Sequence, residues 1–382
     1  MALVLNEDQK LVQESARGFC KDNAPLTQLR KLRDSKESSA YSEELWQQMT
    51  ELGWAGMAIP EEYGGFDFGY TGLGLVLQET GRTLVSSPLI GSVLLSANLI
   101  NLAGTQVQKQ SLLPRIVAGE LKMALALDET AHHRPNLIRT NAVKNESGFC
   151  LNGSKTFVID GGFSDQYIVV ARTSGEDDSE QGISLFLVNA KHAGVSVTRT
   201  VMIDSRNAAK LSFDNVCVDA EALIGELDKG YDVLDAVLDI ARIGVAAEML
   251  GSIEALFESI IDYLQQRKQF GVLIGSFQGL QHRAATMYSE IELCKSLVLA
   301  ALSALDDGEQ TPRQIALIAS ATKSKLSEVF ELVSNEGIQM YGGVGMTDEF
   351  DLGLFIKRAR VAQQFLGDAL FHRDRYASLS GF

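Results

Sequence analysis

Two segments in the carboxyl-terminal half of the chain combine an arginine or a glutamine with closely spaced glycines. RKQFG (267–271) and QMYGG (339–343) each follow a long helical pattern. A guanidinium group binds phosphate oxygens two at a time, and glycine lets a backbone approach a ligand without a Cβ atom in the way. These residue types suit a phosphate-containing ligand. The alternatives are an arginine that closes a helix and a glycine cap.

No residue pattern indicates metal-based or covalent catalysis. His132 and His133 are adjacent, but no further histidine or cysteine stands near them at a metal-ligand spacing. We therefore interpret them as a loop pair with a structural or substrate-contact role, and we expect no metal. No nucleophile–histidine–acid arrangement stands out.

The composition is that of a folded protein with two or three domains. Of 382 residues, 46% are hydrophobic and 22% are charged, and the formal net charge of −15 disfavours nucleic acid as a partner. No signal peptide and no membrane-spanning run are recognisable, so we expect no membrane insertion and a cytoplasmic location. The scattered cysteines are expected to be buried free thiols in a reducing compartment: Cys20, Cys150, Cys217 and Cys294.

The spacing of apolar residues predicts three domains. Residues 1–120 show helical spacing, residues 121–227 consist of short strand-like runs, and residues 228–382 return to long helical segments. We therefore predict a mainly α protein with a helical amino-terminal domain, a small β-barrel-like middle domain and a carboxyl-terminal four-helix bundle.

Local patterns refine this prediction. Asn6 and Gln9 have the spacing of a capping box at the start of the first helix. Asn152–Gly153 predicts a hairpin turn, and the charged segment 174–182 predicts a solvated hairpin loop. The segment HRDR (372–375) is interpreted as the basic end of the last helix.

Several segments together resemble the acyl-CoA dehydrogenase family over essentially the whole chain. They are LGWAGMAIPEEYGG, LNGSKTFVIDGG, RKQFG, SFQGLQHRAATM and IQMYGGVGMTDEF. The resemblance implies an FAD cofactor, an acyl-CoA substrate, at least a dimer, and an electron-transfer flavoprotein or similar acceptor.

The resemblance also implies an FAD site. In the family, the arginine of the RxxFG motif faces the pyrophosphate of a neighbouring subunit's FAD, and the phenylalanine packs beside the flavin. These roles fall on Arg267 and Phe270, with Gln269 between them. Further positions similar to those along the cofactor are Gln278, Gln339, Gly342 and Gly343.

The family's reaction needs a carboxylate base, which this chain lacks at both usual positions. The base removes an α-proton of the thioester while the β-hydrogen leaves as hydride to the flavin, and hydrogen bonds polarise the thioester carbonyl. The family's YEGT motif falls on 365–368, so Leu366 stands in place of the glutamate and keeps only its backbone amide. In another branch the base precedes an arginine on a helix, and here Ala241 precedes Arg242, a substrate-binding position by resemblance.

Two carboxylates lie near the empty positions. Asp239 is two residues before Ala241, which places it roughly 200° round a helix, and Asp368 is two residues after Leu366. We interpret each as a helix-surface or capping carboxylate. The alternative is that one of them serves as an unconventional base.

The middle domain departs from the family as well. DETAHHRP (128–135) replaces a run whose hydroxyl groups contact flavin and pyrophosphate, and Ile159 replaces a threonine. Asp128 and Phe157 remain candidate cofactor contacts. We therefore expect the chain's own flavin pocket to be poor.

Three hypotheses follow. In the first, the chain is a subunit of a heteromeric acyl-CoA dehydrogenase, such as those of bacterial steroid or dicarboxylic acid breakdown, and a related partner supplies the glutamate. In the second, it is a self-sufficient homo-oligomeric dehydrogenase that uses Asp368 or Asp239. In the third, it is a non-redox binding or scaffold protein on the same fold.

Overall fold

The computed structural model describes residues 4–35 and 41–382. The chain divides into two compact units. The helical unit consists of the described residues of Met1–Lys31, Tyr70–Val85 and Arg242–Phe382. The sheet unit consists of the described residues of Leu32–Gly69 and Ser86–Ala241.

Helices make up most of the described chain. The α-helices are α1 Glu7–Asn23, α2 Leu26–Ser35, α3 Glu43–Glu51, α4 Gly69–Arg82, α5 Asn98–Ala103, α6 Gln106–Val117, α7 Gly230–Gln266, α8 Gln278–Asp307, α9 Pro312–Tyr341, α10 Leu352–Gln364 and α11 Ala369–Ser380. A π-helix spans Leu89–Ala97. Short 3₁₀ turns span Trp54–Gly56, Glu61–Tyr63, Ala220–Ala222, Ile274–Ser276 and Gly342–Met346.

The strands lie between α6 and α8. They are β1 Met123–Ala126, β2 Asn141–Lys144, β3 Gly148–Ile159, β4 Gln166–Arg172, β5 Ile183–Asn189, β6 Val195–Val201, β7 Asn207–Asp219, β8 Leu223–Ile224, β9 Lys268–Gln269 and β10 Val272–Leu273. The predicted mainly α fold with a middle β region is confirmed. The three domain boundaries stay predictions.

The sheet unit is built on one eight-stranded sheet. Its order is β6-β7-β3-β2-β4-β5-β8, and β1 pairs with β4. The described strands form an open sheet rather than a closed barrel. β4 and β5 are nearly continuous apolar runs because both of their faces are buried.

The predicted capping box is confirmed, whereas the predicted turn at Asn152–Gly153 is wrong. The Asn6 side chain accepts a hydrogen bond from Gln9 N at 2.8 Å, and the Gln9 side chain accepts one from Asn6 N at 3.0 Å. Asn152–Gly153 instead lies inside β3 at an irregularity in its pairing with β7. A Cβ atom at Gly153 would lie 2.6 Å from the Thr140 Cα atom, so the glycine allows a close backbone approach within the sheet.

The expectation of four free thiols is wrong for two cysteines. Cys150 of β3 and Cys217 of β7 face each other in the antiparallel ladder, with Cα atoms 4.0 Å apart, and form a disulfide. Cys20 and Cys294 are free and buried, as expected. The cysteines therefore no longer argue for a reducing compartment, and the cytoplasmic location stays a prediction.

In the helical unit, a buried ion pair joins α7 to α10. Arg358 Nη2 lies 2.6 Å from Glu248 Oε2, and both side chains are almost fully buried. Because an unpaired buried charge is strongly destabilising, this pair fixes how the two helices pack. Within the described residues, no helix is long and apolar enough to cross a membrane.

Candidate active site

Arg267 begins a short hairpin at the end of α7. β9 and β10 pair antiparallel, and Phe270 and Gly271 form the turn between them with φ of +52° and +80°. Arg267 and Gln269 are exposed, and the Phe270 residue is 92% exposed. A phenylalanine this exposed is unusual unless it meets another surface. The hairpin therefore presents an aromatic ring and a guanidinium group side by side.

The glycine pair follows the end of α9. Gly342 has φ of +67°, and a Cβ atom added at Gly342 or Gly343 would meet no atom within 4 Å. The Tyr341 ring stacks on the Tyr263 ring of α7, with centroids 3.8 Å apart, and its hydroxyl donates to Ser259 O at 2.9 Å. Burial raises the pKa of Tyr341. The glycine pair and the Arg267 hairpin therefore line one depression of about 490 Å³.

The two glutamines predicted to contact FAD are exposed. Gln278 begins α8, and Gln339 lies in the last turn of α9. Neither belongs to the described residues that line the depression, although Gln339 O accepts a hydrogen bond from Gly342 N. Their contact with a cofactor stays a prediction.

Leu366 stands in a tight turn between α10 and α11. The residue is 3% exposed and has φ of +60°, a left-handed conformation that costs a non-glycine residue about 1–2 kcal/mol. In the described part of the chain, the Leu366 N–H makes no hydrogen bond. Because buried backbone donors are nearly always paired, this amide is a candidate to bind a ligand.

The carbonyl groups of the same turn are bound by buried side chains. Leu366 O accepts hydrogen bonds from Arg242 Nε at 3.4 Å and from His372 Nε2 at 3.0 Å. Gly367 O accepts one from Lys323 Nζ at 3.0 Å. All three donor residues are fully buried. They bring α7, α9 and α11 to the turn, and neither Lys323 nor His372 was predicted to lie there.

The interpretation of HRDR as a basic helix end is wrong for two of its residues. His372 has no exposed surface, and Arg375 Nη1 donates to Ser320 Oγ at 2.9 Å. α11 presents these side chains to α9 because the two helices pack against each other. Only a buried contact across the fold distinguishes them from Arg373, which is exposed.

The carboxylates near the empty base positions differ in their surroundings. Asp368 is the N-cap of α11, and its Oδ1 accepts a hydrogen bond from Phe371 N at 2.8 Å. Asp239 is 3% exposed on α7, and Ala241 is fully buried. The capping interpretation of Asp368 is therefore confirmed. The interpretation of Asp239 as a helix-surface carboxylate is wrong because it is buried.

The loop after β1 uses its own acidic residues internally. His133 Nδ1 lies 3.1 Å from both carboxylate oxygens of Asp128, and Arg134 N donates to Asp128 Oδ1 at 3.4 Å. Glu129 Oε1 lies 2.7 Å from the Nζ atom of Lys155, which is fully buried. The structural role expected for the histidine pair therefore applies to His133. No group of potential metal ligands occurs in the described residues.

The Glu129–Lys155 pair holds the start of this loop against β3. Burial lowers the pKa of Lys155 to about 8, although Glu129 acts in the opposite direction. Burial also opposes ionisation of Glu129, but Lys155 and the backbone of Thr140 outweigh it and lower the pKa of Glu129. The pair is ionised at neutral pH and anchors the loop.

Phe157 and Ile159 lie at the end of β3. Phe157 has φ of +53°, and Ile159 pairs with Ala208 of β7. Asp160, the next residue, accepts a hydrogen bond from Gly91 N at 3.1 Å. None of these side chains adds a hydroxyl donor at the position where the family has a threonine.

Arg172 organises the loop 174–182, a role that the sequence did not indicate. The loop is exposed and joins β4 to β5, as predicted. The Arg172 guanidinium donates to carbonyl oxygens on both sides of the loop's neighbourhood. These acceptors belong to Asn136, Ile138, Asp177, Ser179 and Gln181. The acidic loop is therefore tied to the segment that follows the Asp128–His133 pair.

Three family models match the chain in sequence order. They describe the acyl-CoA dehydrogenase N-terminal domain (residues 6–120), middle domain (128–216) and C-terminal domain (228–378). An acyl-CoA dehydrogenase of Bacillus subtilis is 30% identical over 370 residues, which is 95% of each chain. The chain is a member of the acyl-CoA dehydrogenase family. Membership supports an FAD-dependent oxidoreductase of acyl-CoA thioesters.

Solved structures of the family agree with this assignment. Butyryl-CoA dehydrogenase from Megasphaera elsdenii is 28% identical, with a TM-score of 0.90 and 99% of each chain covered. The Tcur3481–Tcur3483 steroid acyl-CoA dehydrogenase, a protein of two different chains, is also 28% identical, with a TM-score of 0.87 and 98% of each chain covered.

Proposed function

We propose that this chain is the base-deficient subunit of a heteromeric acyl-CoA dehydrogenase. In this proposal a related partner subunit supplies the glutamate that removes the α-proton of the acyl-CoA thioester. The observation that carries the proposal is the Leu366 turn, which combines an unpaired, buried amide with a side chain that cannot accept a proton.

The backbone of the turn suits one half of the reaction. Leu366 N–H is available to donate to the thioester carbonyl oxygen, where negative charge develops as the α-proton leaves. Arg242 is fully buried and binds Leu366 O, so it orients the turn from the opposite side of the peptide chain. Its proposed substrate role is therefore indirect.

The other half of the reaction has no suitable group at the family's positions. Leu366 and Ala241 are apolar, and the Asp368 carboxylate is engaged as a helix cap. A base must lie within hydrogen-bond reach of the proton that it removes, and a cap is held toward its own helix. This arrangement favours a base from another chain.

The helical unit offers a surface that fits FAD of a partner. Arg267 is exposed for phosphate, the Phe270 ring is exposed for the flavin side, and Gly342 and Gly343 leave open space above their backbone. FAD bound there would accept the hydride from the β-carbon. Gln269, Gln278 and Gln339 are further proposed contacts along the cofactor.

The sheet unit fits FAD less well. The Asp128 carboxylate is held by His133 and Arg134, and Ile159 offers no hydroxyl. A carboxylate close to a pyrophosphate is unfavourable because both are negatively charged. We therefore propose that the chain lends its helical surface to a partner's FAD and does not bind one by its own sheet unit.

The two-chain steroid enzyme among the relatives supports a hetero-oligomer. An acyl-CoA thioester is the proposed substrate, and an electron-transfer flavoprotein or similar protein is the proposed acceptor. One observation favours the homo-oligomer instead: Asp239 is a 3% exposed carboxylate on the same helix as Ala241. In that case Asp239 would be the base.

Affinity purification of the tagged chain from its source organism tests the proposal. We expect a second acyl-CoA dehydrogenase chain that carries the glutamate, and half as many flavins as chains. Exchange of that glutamate for glutamine should abolish reduction of the flavin by acyl-CoA, whereas Asp239→Asn in this chain should leave it within a few-fold. Loss of reduction in the Asp239→Asn complex, with flavin still bound, would overturn the proposal.

A further inference from the structure

Lys323 of α9 supports the Leu366 turn from a position with no exposed surface. Its Nζ atom lies 3.0 Å from Gly367 O and 3.3 Å from Gln363 O. It also lies 3.3 Å from Ser327 Oγ. No carboxylate of the described chain forms an ion pair with it. A lysine that is buried against neutral acceptors is rare, and this one is used entirely by the turn and its own helix.

The two carbonyl acceptors flank Leu366. Gln363 lies in the last turn of α10, and Gly367 immediately follows Leu366. A single Nζ atom therefore bridges the point where the chain leaves α10 and the point where it passes Leu366. This bridge restrains the path of the backbone across the residue that it encloses.

The turn needs such a restraint because it is strained. Leu366 and Gly367 have φ of +60° and +103°. A Cβ atom at Gly367 would lie 2.4 Å from the Phe371 ring and 2.9 Å from His372 Nε2, so only glycine fits there. Unfavourable backbone conformations persist where the surroundings over-determine them.

The charged groups that face Lys323 come from three elements. They are Arg242 of α7, Arg358 of α10 and Asp368 before α11, and His372 of α11 lies on the Leu366 carbonyl. Burial lowers the pKa of Lys323 to about 7, and the two arginines act in the same direction. Both the ammonium and the neutral amine have N–H donors, so the bridge exists in either form.

We infer that Lys323 is a positioning residue that fixes the direction of the Leu366 N–H by bridging Gln363 O and Gly367 O. The inference rests on the proposed function, in which this N–H holds the thioester carbonyl. Lys323 itself does not touch the substrate. Its removal leaves the amide in place and changes where the amide points.

Hydrogen exchange of the purified chain tests the bridge without substrate or partner. In Lys323→Met, exchange across residues 361–371 should rise at least about tenfold, because the turn loses its restraint. Lys323→Arg, which keeps the donors, should remain closer to the parent. Lys325→Met is the matched control, since Lys325 lies two residues away and pairs with Glu290 at the surface. Unchanged exchange in Lys323→Met would overturn the inference.

Kinetics of the flavin-containing complex test the consequence for catalysis. Lys323→Met should lower kcat at least about tenfold and leave KM within about threefold, because the amide acts on charge that develops in the transition state. Lys323→Arg should recover most of kcat. Faster exchange with an unchanged kcat would show a merely structural role and contradict the inference.

The two proposals fail in different ways. If the parent complex dehydrogenates no acyl-CoA, the proposed function fails, and the exchange experiment still decides whether Lys323 orders the turn. Lys323→Gln is made alongside, because it keeps one donor without charge and serves if Lys323→Met does not fold. Parent-like exchange and kcat in a folded Lys323→Gln protein would show that the donor matters and the charge does not, as the bridge predicts.

Discussion

Asp368 Oδ1 accepts a hydrogen bond from Phe371 N at 2.8 Å, so the carboxylate nearest to Leu366 in the sequence is the cap of α11. This contact separates two roles that the sequence left open. A side chain that caps a helix contributes to stability, and its chemical identity matters only as an acceptor.

Substitutions at Asp368 should therefore follow the capping role. Asp368→Asn keeps the acceptor, so we expect turnover of the complex and stability to stay close to the parent. Asp368→Ala should cost about 1 kcal/mol of unfolding free energy in urea titrations. A loss of turnover by orders of magnitude in Asp368→Asn would contradict this assignment and make Asp368 the base.

Arg267 should govern flavin retention by the complex. Arg267→Ala removes an exposed guanidinium that makes no listed claim on the fold of the hairpin, so the protein should fold normally and lose flavin absorbance. Arg267→Lys should retain flavin only in part, because an ammonium group cannot bind two phosphate oxygens in a fork. Arg313→Ala is the control, since Arg313 is also exposed and donates only to Leu379 O. Full flavin content in Arg267→Ala would contradict the proposed surface.

Lys323 should make stability depend on pH above neutrality. Its pKa in the fold is about 7, below its ordinary value of 10.5. Below pH 7 the fold bears the whole cost of the buried charge. Between pH 7 and 10.5 the unfolded chain keeps a proton that the folded chain has lost, so stability should rise with pH, with a slope approaching about 1.4 kcal/mol per pH unit.

The comparison of Lys323→Met with the parent isolates this effect. Lys155, whose pKa is about 8, titrates in the same window in both proteins and cancels from the difference. The parent should gain stability relative to Lys323→Met as the pH rises from 7 to 10, in urea titrations at each pH. Parallel curves for the two proteins would contradict the assignment.

The buried Glu129–Lys155 pair should show non-additive mutations. Glu129→Gln leaves the Lys155 charge buried with Leu127 O as an uncharged partner, which should cost about 3–5 kcal/mol. The double variant Glu129→Gln/Lys155→Met removes the charge as well and should recover much of that loss. Urea titrations of the single and double variants measure the coupling. Equal stability of the two variants would show that the pair is not coupled.

The features that could be predicted from sequence are local. The Asn6–Gln9 capping box and the succession of helical and strand-like segments depend on residues a few positions apart. The RKQFG and QMYGG motifs are short for the same reason, and their glycines and arginine lie at the ends of long helices. Leu366 could be placed because the spacing from QMYGG has no gap.

The features that escaped prediction depend on contacts across the chain. The Cys150–Cys217 disulfide requires the register of β3 against β7, which are 67 residues apart at these cysteines. Lys323 and His372 reach the Leu366 turn from two different helices, and both residue types are usually exposed or partly exposed. Asn152–Gly153 has the composition of a turn, but the sheet uses it for a close approach to Thr140.

The most direct test of the missing base is the visible spectrum of the chain purified alone and supplied with FAD, followed by anaerobic addition of acyl-CoA thioesters that include steroid-derived ones. The proposed function predicts a protein that is colourless after removal of free FAD, or one whose flavin is not bleached by any thioester. Stoichiometric bleaching by an acyl-CoA would show that this chain carries its own base and would contradict the proposal.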